Sequence, residues 1–239
     1  MSKLLVVFGA TGNQGGSVAN YVLQDPELSK QFKVRAVTRD PASGPSQSLA
    51  NSGAEVVKGD VDDADSITAA LKGAHTIFLP TVSVYDDQLR PRELRQGKTV
   101  ADAAVAAGAS YFIYSTLINT EAFTGGKIKH MQHFDTKYDV EQYIRGLPIK
   151  SAFFAPGTFM QNFVTHMAPK PLGDGTYALF NFVPTKATFP LIETAGDGGK
   201  YVGAVLAEPE KYEGKVFWAA TELKSLDEVA EIMTKVTVS

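Results

Sequence analysis

The sequence of 239 residues contains no cysteine, which excludes disulfides, thiolate metal sites, iron–sulfur ligation and a catalytic thiol. No apolar run approaches the ~20 residues that a membrane-spanning helix needs. A strong net charge is absent as well, because 23 Lys and Arg face 26 Asp and Glu and leave −3 at pH 7. No global basic field would attract nucleic acid or an anionic membrane. We therefore expect neither of these among the direct partners.

A signal peptide is also not expected, because the N-terminus enters a strand at once without an n-region or cleavage site. We expect a cytoplasmic protein, and the nucleus stays open. The composition, 44% hydrophobic and 21% charged, is typical of a soluble globular protein. The length suffices for one sizeable core, or for one core with a small lobe.

The N-terminal stretch Leu4–Gly16 is the feature around which the rest of the chain is organised. An apolar run of strand length ends in Gly9, Gly12 and Gly15, spaced G-x-x-G-x-x-G, and a helical pattern follows. In a dinucleotide site the first glycine makes the tight turn, the second lets the backbone approach a pyrophosphate, and the third lets helix pack on strand. The helix N-terminus adds free N–H groups and partial positive charge. A glycine-rich turn without a ligand is the alternative.

Strand-like and helix-like segments alternate over the first ~150 residues, which is typical of β-α units and a parallel sheet. The predicted strands are 3–8, 33–38, 55–58, 76–79, 111–115 and 149–154. The predicted helices are 14–24, 64–72, 92–107 and 131–145, and residues 41–46 are predicted to form a loop. We predict the α/β class: a Rossmann, doubly wound parallel sheet with a small C-terminal α+β lobe.

The pattern changes after residue 157. Residues 158–195 hold many aromatic side chains among irregular Pro and Gly, and we expect these aromatics to form core and to line part of a pocket. A short helix, a strand and a last helix opened by a capping box are predicted near 200–207, 215–219 and 225–228. We predict an NADP-binding Rossmann domain over residues 1–157 and a small substrate or partner lobe over 158–239, packed into one compact body.

The end of the second strand indicates which dinucleotide the site would take. An NAD site usually places an acid there to bond the ribose 2′-OH, but Thr38 occupies the position and Arg39 follows. An arginine suits a 2′-phosphate by charge and fork geometry. Asp40 could pair with Arg39 or repel the phosphate, and a plain surface turn is the alternative. We predict NADP(H). Asp60, after the third strand, either accepts the adenine amino group or caps the next helix.

Several segments together resemble the NmrA-like family, part of the atypical short-chain dehydrogenase/reductase superfamily. They are the glycine stretch, Gly59–Asp63, Gln96–Lys98, His133–Lys137, Pro156–Asn162 and Gly196–Val202. The resemblance implies a Rossmann core that binds NADP(H). It implies either a transcriptional co-regulator or redox sensor that does not turn the dinucleotide over, or a quinone or carbonyl reductase.

The residues expected to contact the cofactor follow from the glycine motif, the strand ends and this resemblance. They are Gly9, Thr11, Gly12, Asn13, Gln14, Gly15, Arg39, Asp60, Val61, Thr81, Lys98, Lys137, Pro156, Phe159 and Asn162. The segment Phe159–Asn162 is expected near the nicotinamide end.

Catalysis depends on the helix near residue 133. Short-chain reductases generally use Tyr-x-x-x-Lys, in which lysine grips the nicotinamide ribose and lowers the tyrosine pKa, and tyrosine protonates the carbonyl oxygen. No tyrosine in this chain has lysine four residues on, and the matching element is His133-x-x-x-Lys137. His133 is either a binding-face residue without chemistry or a substitute general acid, since an imidazole with pKa near ~6.5 can donate a proton. A quinone substrate would need no general acid, because it can take its proton from water.

Two weaker signals are predicted to carry no chemistry. His130 and His133 lie three apart on the predicted helix, but without a third evident ligand we expect no metal. Arg90, Arg92 and Arg95 form a basic stripe, which we interpret as a solvated face rather than a contact for a partner or an anionic substrate.

The leading hypothesis is NADP(H) binding used to sense redox state or cofactor occupancy, with the signal passed on through a protein partner. The alternative is an NADPH-dependent reductase of quinones or small carbonyl compounds. In that case His133 and Lys137 are the candidate catalytic residues. The substrate would be held between Pro80 and Thr81, residues 154–159 and the aromatic lobe, and hydride would pass from nicotinamide C4.

Overall fold

The computed structural model describes residues 2–237. The strands are β1 (Lys3–Val7), β2 (Phe32–Thr38), β3 (Glu55–Lys58), β4 (Thr76–Pro80), β5 (Tyr111–Ser115), β6 (Lys150–Pro156), β7 (Thr158–Phe159), β8 (Lys170–Pro171), β9 (Tyr177–Ala178), β10 (Thr188–Ile192), β11 (Val216–Ala219) and β12 (Glu222–Ser225). The helices are α1 (Asn13–Gln24), α2 (Leu28–Gln31), α3 (Gly44–Asn51), α4 (Ala64–Leu71), α5 (Leu89–Ala106), α6 (Thr120–Phe123), α7 (Gln132–Arg145), α8 (Thr194–Ala207), α9 (Pro209–Tyr212) and α10 (Leu226–Thr237). A 3₁₀ turn spans Met160–Val164.

Seven strands form one parallel sheet in the order β11-β6-β5-β4-β1-β2-β3. The strand order reverses direction between β1 and β4, and folds of this kind bind ligands in the crevice outside the carboxyl ends of the strands at that point. The predicted Rossmann class is confirmed.

The strand β1 shows why the sheet is buried on both faces. Leu5 and Val7 lie in the core beneath α1 and α8, whereas Val6 and the following Phe8 lie in the core beneath α4, α5 and α7. Successive side chains of a strand point to opposite faces. A strand covered by helices on both sides therefore reads as a continuous apolar run.

Most predicted bounds agree with the structure, and the differences have local causes. Helix α5 ends before Gly108, whose φ of 72° suits a C-cap. It begins at Leu89 rather than residue 92, because a proline such as Pro91 is tolerated in the first turn. The loop prediction for residues 41–46 is wrong in part. Helix α3 begins at Gly44 with Pro45 in its first turn, a favoured place for proline.

The residues assigned to the second lobe lie in two places. Strand β11 extends the large sheet beside β6, and α8 packs along α1. The remainder forms a three-stranded sheet in the order β12-β10-β7, with a small core of Phe163, Leu191, Leu226 and Val229. The division of the chain at residue 157 stays a prediction.

The aromatic residues of this region do not share one environment. Phe163 is buried, and its ring stacks on Phe189 with centroids 6.3 Å apart. Tyr177, Phe180 and Phe182 are instead exposed. The expectation that these aromatics would be core or pocket lining is therefore wrong for three of them, because the hairpin β8–β9 and the loop after it pack against little of the body.

The capping box at the start of α10 is confirmed. The backbone N–H of Ser225 donates to Glu228 at 2.8 Å, and the backbone N–H of Glu228 donates to the Ser225 hydroxyl at 3.3 Å. Reciprocal bonds of this kind satisfy N–H groups that a helix start leaves without partners.

Helices α1 and α8 approach so closely that their contact requires glycine. A methyl group at Gly199 would lie 2.3 Å from the backbone oxygen of Ser17, and one at Gly203 would lie 2.3 Å from the Tyr21 ring. The N–H of Gly199 also donates to the Ser17 hydroxyl at 2.8 Å. The α8 start at Thr194, ahead of the predicted residue 200, rests on this packing, which outweighs the low helix propensity of its glycines.

We predict that Gly199→Ala lowers the free energy of unfolding by about 1–3 kcal/mol, the usual cost of overpacking. The matched control is Gly198→Ala, whose methyl would lie 3.5 Å from the Ser17 hydroxyl. That variant should be neutral or more stable by up to ~1 kcal/mol, because alanine is the better helix former. Urea denaturation measures both, and equal stabilities would contradict the close helix contact.

Candidate functional site

The glycine loop follows β1 and positions the start of α1. Gly9 has a φ of 59°, so it makes the turn that other residues rarely adopt. A methyl group at Gly15 would lie 2.3 Å from the carbonyl oxygen of Gly9, so only glycine lets α1 pack there. At Gly12 the nearest atom would be that same oxygen at 3.4 Å, which leaves the outer side open. The predicted roles of Gly9 and Gly15 agree with this geometry.

The N-terminus of α1 is suited to an anion. Gly12 is its N-cap without a side-chain bond, and the first turn holds no acidic residue. The first N–H groups of a helix have no intrahelical acceptor and carry partial positive charge. A cleft of about 280 Å³ lies beside this helix start and is lined by Thr11, Asn13, Ser48 and Ala195, among others.

Gln14 connects the glycine loop to the neighbouring strand ends. Its side-chain oxygen accepts a hydrogen bond of 2.7 Å from the hydroxyl of Ser115, the last residue of β5. The loop after β1 and the carboxyl end of β5 are thereby fixed relative to one another across β4.

Two cations lie at the ends of β2 and β3. Arg39 directly follows β2, and Lys58 pairs in register with Thr38 of that strand. Both are exposed, and within residues 2–237 no carboxylate lies at ion-pair distance from either one. Asp40 does not pair with Arg39, and its Oδ1 accepts from the N–H of Ala42 at 3.0 Å. The sequence does not indicate Lys58, because its proximity to the end of β2 depends on strand register.

Asp60 follows the same strand, β3, and the structure rules out its predicted alternative role as a helix cap. Its Oδ1 accepts from the N–H of Asp62 at 3.0 Å, whereas Asp63 caps α4 through two backbone N–H groups. Val61 packs beside the second core. A contact of Asp60 with adenine stays a prediction.

The basic stripe at the start of α5 is exposed to solvent at Arg90 and Arg95, in line with the interpretation as a solvated face, whereas Arg92 is partly buried. Each arginine has a carboxylate partner: Arg90 with Asp139 at 2.5 Å, Arg92 with Asp86 at 2.6 Å, and Arg95 with Asp62 at 2.8 Å. The last pair holds the loop after β3 against α5, and the Gln96 amide donates to the same carboxylate at 2.9 Å.

A buried polar network lies at the carboxyl ends of β4 and β5. The Lys137 ammonium donates to the carbonyl and hydroxyl oxygens of Thr81 at 2.9 and 3.0 Å, and to Glu93. Glu93 is 1% exposed. It also accepts from the hydroxyls of Thr81 and Ser83 at 2.6 and 2.8 Å, and the Tyr114 hydroxyl lies 3.0 Å from that of Thr81.

Burial and the neighbouring carboxylate act in opposite directions on the pKa of the lysine in this network. Burial lowers the pKa of Lys137, and the adjacent Glu93 carboxylate acts to raise it. Burial also raises the pKa of Tyr114, which therefore stays neutral. The sequence analysis missed Glu93, although position 93 lies on the buried face that Gly97, Val100 and Ala104 continue along α5.

His133 lies next to Lys137 on α7, and a tyrosine from another segment covers it. The imidazole meets the rings of Phe134 and Tyr85 edge-on, with centroids 4.6 and 5.4 Å apart. Burial, and then the charge of Lys137, lower the pKa of His133. Less of the protonated form is present at neutral pH than in a free histidine, which disfavours the general-acid role. Tyr85 was missed because the loop after β4 brings it there from 48 residues away.

The other predicted residues lie in separate places. Pro156 ends β6, Phe159 packs against the first core, and Asn162 lies in the 3₁₀ turn. The Lys98 Nζ lies over the Tyr143 ring, 4.7 Å from its centroid. Its assignment to the cofactor stays a prediction. Phe154 is fully buried, so it belongs to the core and does not line a substrate cleft.

The two histidines considered for a metal do not share a helix. His130 precedes α7 and has a φ of 64°, while His133 lies within it. No group of three potential His, Asp or Glu ligands occurs in the part of the chain that the structure describes. No helix there is both long and apolar enough to cross a bilayer.

The sequence is similar to a known protein family and to individual members of it. The model of the NmrA-like family matches residues 1–238. The NmrA-like family domain-containing oxidoreductase FrzB of Cladobotryum sp is 33% identical over 258 aligned positions, which cover 99% of this chain and 74% of that protein.

Solved structures share the fold. NmrA, a negative transcriptional regulator, is known in complex with NAD and with NADP. The two structures give TM-scores of 0.83 and 0.81 at 23% and 22% identity, and each match covers 98% of this chain and 71% of NmrA. The NADPH-dependent quinone oxidoreductase QOR2 of Escherichia coli, complexed with NADPH, has a TM-score of 0.76 at 23% identity, with 99% and 76% covered.

We predict that Lys137→Met raises the pKa of His133. The substitution removes the positive charge that opposes protonation of the imidazole and leaves the Glu93 and Asp135 carboxylates that favour it. NMR titration of the imidazole signals of wild type and variant tests this. In wild type we expect titration below the ordinary value, and an unchanged or lower pKa in the variant would contradict the contact.

Proposed function

The chain belongs to the NmrA-like family, and from this premise we propose that it binds NADP(H) in the crevice at the carboxyl ends of its parallel strands. We further propose that it senses redox state or cofactor occupancy and passes the signal on through a protein partner. The glycine loop and the start of α1 would receive the pyrophosphate. The adenine half would lie over β2 and β3, and the nicotinamide half over β4 to β6.

The observation that carries the choice of NADP(H) is the pair of cations at the ends of β2 and β3. Arg39 and Lys58 are exposed and lack a carboxylate partner within residues 2–237, at the edge where the adenosine ribose of a Rossmann ligand lies. A 2′-phosphate would supply the missing negative charge, and guanidinium and phosphate match in bidentate geometry. A ribose without that phosphate would leave both cations unused.

Sensing is favoured over turnover by the state of the nicotinamide half. Lys137 is engaged by protein acceptors, and His133 stands where a reductase of this superfamily carries its tyrosine. The lowered pKa of His133 reduces the protonated fraction that a general acid needs. The site thus offers groups that bind a dinucleotide but lacks a well-matched proton donor on α7.

A reductase is the second candidate, and the rings of Tyr85 and His133 favour it. They form an aromatic pair beside the buried network, which suits a planar acceptor. In this reaction NADPH would transfer hydride to a quinone, and water would supply the proton that completes the hydroquinone. The relatives named as oxidoreductases, FrzB among them, agree with this alternative.

We predict that Arg39→Asp weakens NADPH binding by about 100-fold and NADH binding by less than about threefold, since only NADPH carries the 2′-phosphate. Calorimetric titration gives both dissociation constants. Lys33→Asp is the matched control, because it makes the same charge change at the exposed start of β2. Equal losses for the two dinucleotides in Arg39→Asp would overturn the choice of NADP(H).

We also predict that the protein binds NADPH without oxidising it. The experiment follows NADPH absorbance with a panel of quinones and aldehydes, for wild type and His133→Ala. Steady turnover would overturn the pure sensor and favour the reductase. In that case a 10²-fold or greater loss in His133→Ala would identify a general acid, and an unchanged rate would indicate protonation by water. A pull-down with and without NADPH tests sensing directly. Equal recovery of protein partners in the two conditions would count against it.

A further inference from the structure

The ion pair between Glu93 and Lys137 is unusual in its burial. Their side chains are 1% and 12% exposed. Among the ion pairs formed within residues 2–237, no other has both members so buried; in the nearest case Arg145 is 31% exposed. Removing two charges from water costs several kcal/mol per ion before their attraction offsets it, so stability alone is a weak reason for the pair.

Lys137 has no N–H group to spare for a ligand. An ammonium has three donors, and in this structure they bond the carbonyl oxygen of Thr81, its hydroxyl, and Glu93. Glu93 is engaged at both oxygens, because Ser83 donates to Oε2 while Thr81 and Lys137 donate to Oε1. The positive charge of the lysine is therefore neutralised within the protein.

The pair lies at the carboxyl edge of the sheet. Thr81 directly follows β4, and Tyr114 on β5 hydrogen-bonds its hydroxyl. This is the side of the crevice to which the proposed function assigns the nicotinamide half. Tyr114 on β5 contacts the network, and Tyr85 on the loop after β4 contacts His133 on α7. The charges of Asp135 and Glu141 act on His133 and Tyr114 respectively. The two phenols are uncharged at neutral pH, since the pKa of each is raised.

The oxidised and reduced dinucleotides differ in charge at this end, because the oxidised nicotinamide ring carries one positive charge and the reduced ring none. An unpaired ammonium nearby would repel the oxidised ring, and a paired one does so far less. We propose that Glu93, by neutralising Lys137, sets the relative affinity of the site for NADP⁺ and NADPH. This inference rests on the proposed function, since it requires the nicotinamide ring to lie here. Glu93 acts through Lys137 and is a positioning residue.

The test compares dissociation constants for NADP⁺ and NADPH in wild type and Glu93→Gln at pH 6, which favours the protonated form of an unpaired lysine. We expect the ratio of the NADP⁺ constant to the NADPH constant to rise about tenfold in the variant. Ser83→Ala is the matched control, because it removes one hydrogen bond to the same carboxylate and keeps its charge. Its ratio should stay within about twofold of wild type. An unchanged ratio in Glu93→Gln overturns the inference.

Two further variants separate charge from damage to the fold. Glu93→Gln combined with Lys137→Met leaves no net charge at the site, so its ratio should return to the wild-type value, whereas a merely structural role would leave the ratio disturbed. If Glu93→Gln does not fold, Lys137→Met alone gives the opposite test at pH 8. There the unpaired carboxylate should attract the oxidised ring and lower the ratio, and an unchanged ratio overturns the inference. Wild type that binds neither dinucleotide overturns the proposed function itself.

Discussion

The position of α1 is the constraint on which the rest of the structure depends. Near its N-terminus, α1 makes two contacts that leave no room for a side chain on the glycine. Gly15 lies against the backbone of Gly9 after β1, and the backbone of Ser17 lies against Gly199 of α8. Backbone atoms cannot move aside as side chains do, so these contacts fix where the helix begins. The start of the helix is the end of the crevice that suits an anion. The packing of α8, far along the chain, therefore bears directly on the geometry of the site.

From this fixed point the crevice extends over two regions of different character. On the β2–β3 side, Arg39 and Lys58 are exposed cations with no carboxylate from residues 2–237 at ion-pair distance, so an anion there would meet unpaired positive charge. On the β4–β5 side, the charges of Lys137 and Glu93 are buried and satisfied by one another. Exposed cations can follow a ligand at little cost, whereas a buried pair resists rearrangement because separating it leaves an uncompensated charge. The exposed cations are therefore suited to attracting an anionic ligand, and the buried pair is suited to distinguishing ligands that differ in charge.

The sequence predicted what depends on neighbours along the chain and missed what depends on neighbours in space. Four features are each specified within a few residues, and the structure agrees with them: the turn at Gly9, the close approach at Gly15, the C-cap at Gly108 and the capping box at Ser225. Lys58, Glu93 and Tyr85 come to the site by strand register, by the buried face of a helix and by a loop. A single sequence gives no direct measure of those distances. Helix α8 begins at Thr194, ahead of the predicted residue 200, because its glycines pack against α1, a contact that the order of residues along the chain does not reveal.

The acidity that a tyrosine at position 133 could gain is physically coupled to the pairing of Lys137. In a Tyr-x-x-x-Lys site, the lysine charge must act on the phenol to lower its pKa, which requires that no nearby carboxylate cancel that charge. Here Glu93 cancels it from inside the protein, so a tyrosine at position 133 would gain little acidity. Introducing a phenol at position 133 alone would leave the same neutralised lysine beside it. The difference from the Tyr-x-x-x-Lys pattern therefore extends over two elements, α5 and α7, and lowering the pKa of a phenol at position 133 would require a change at Glu93 as well.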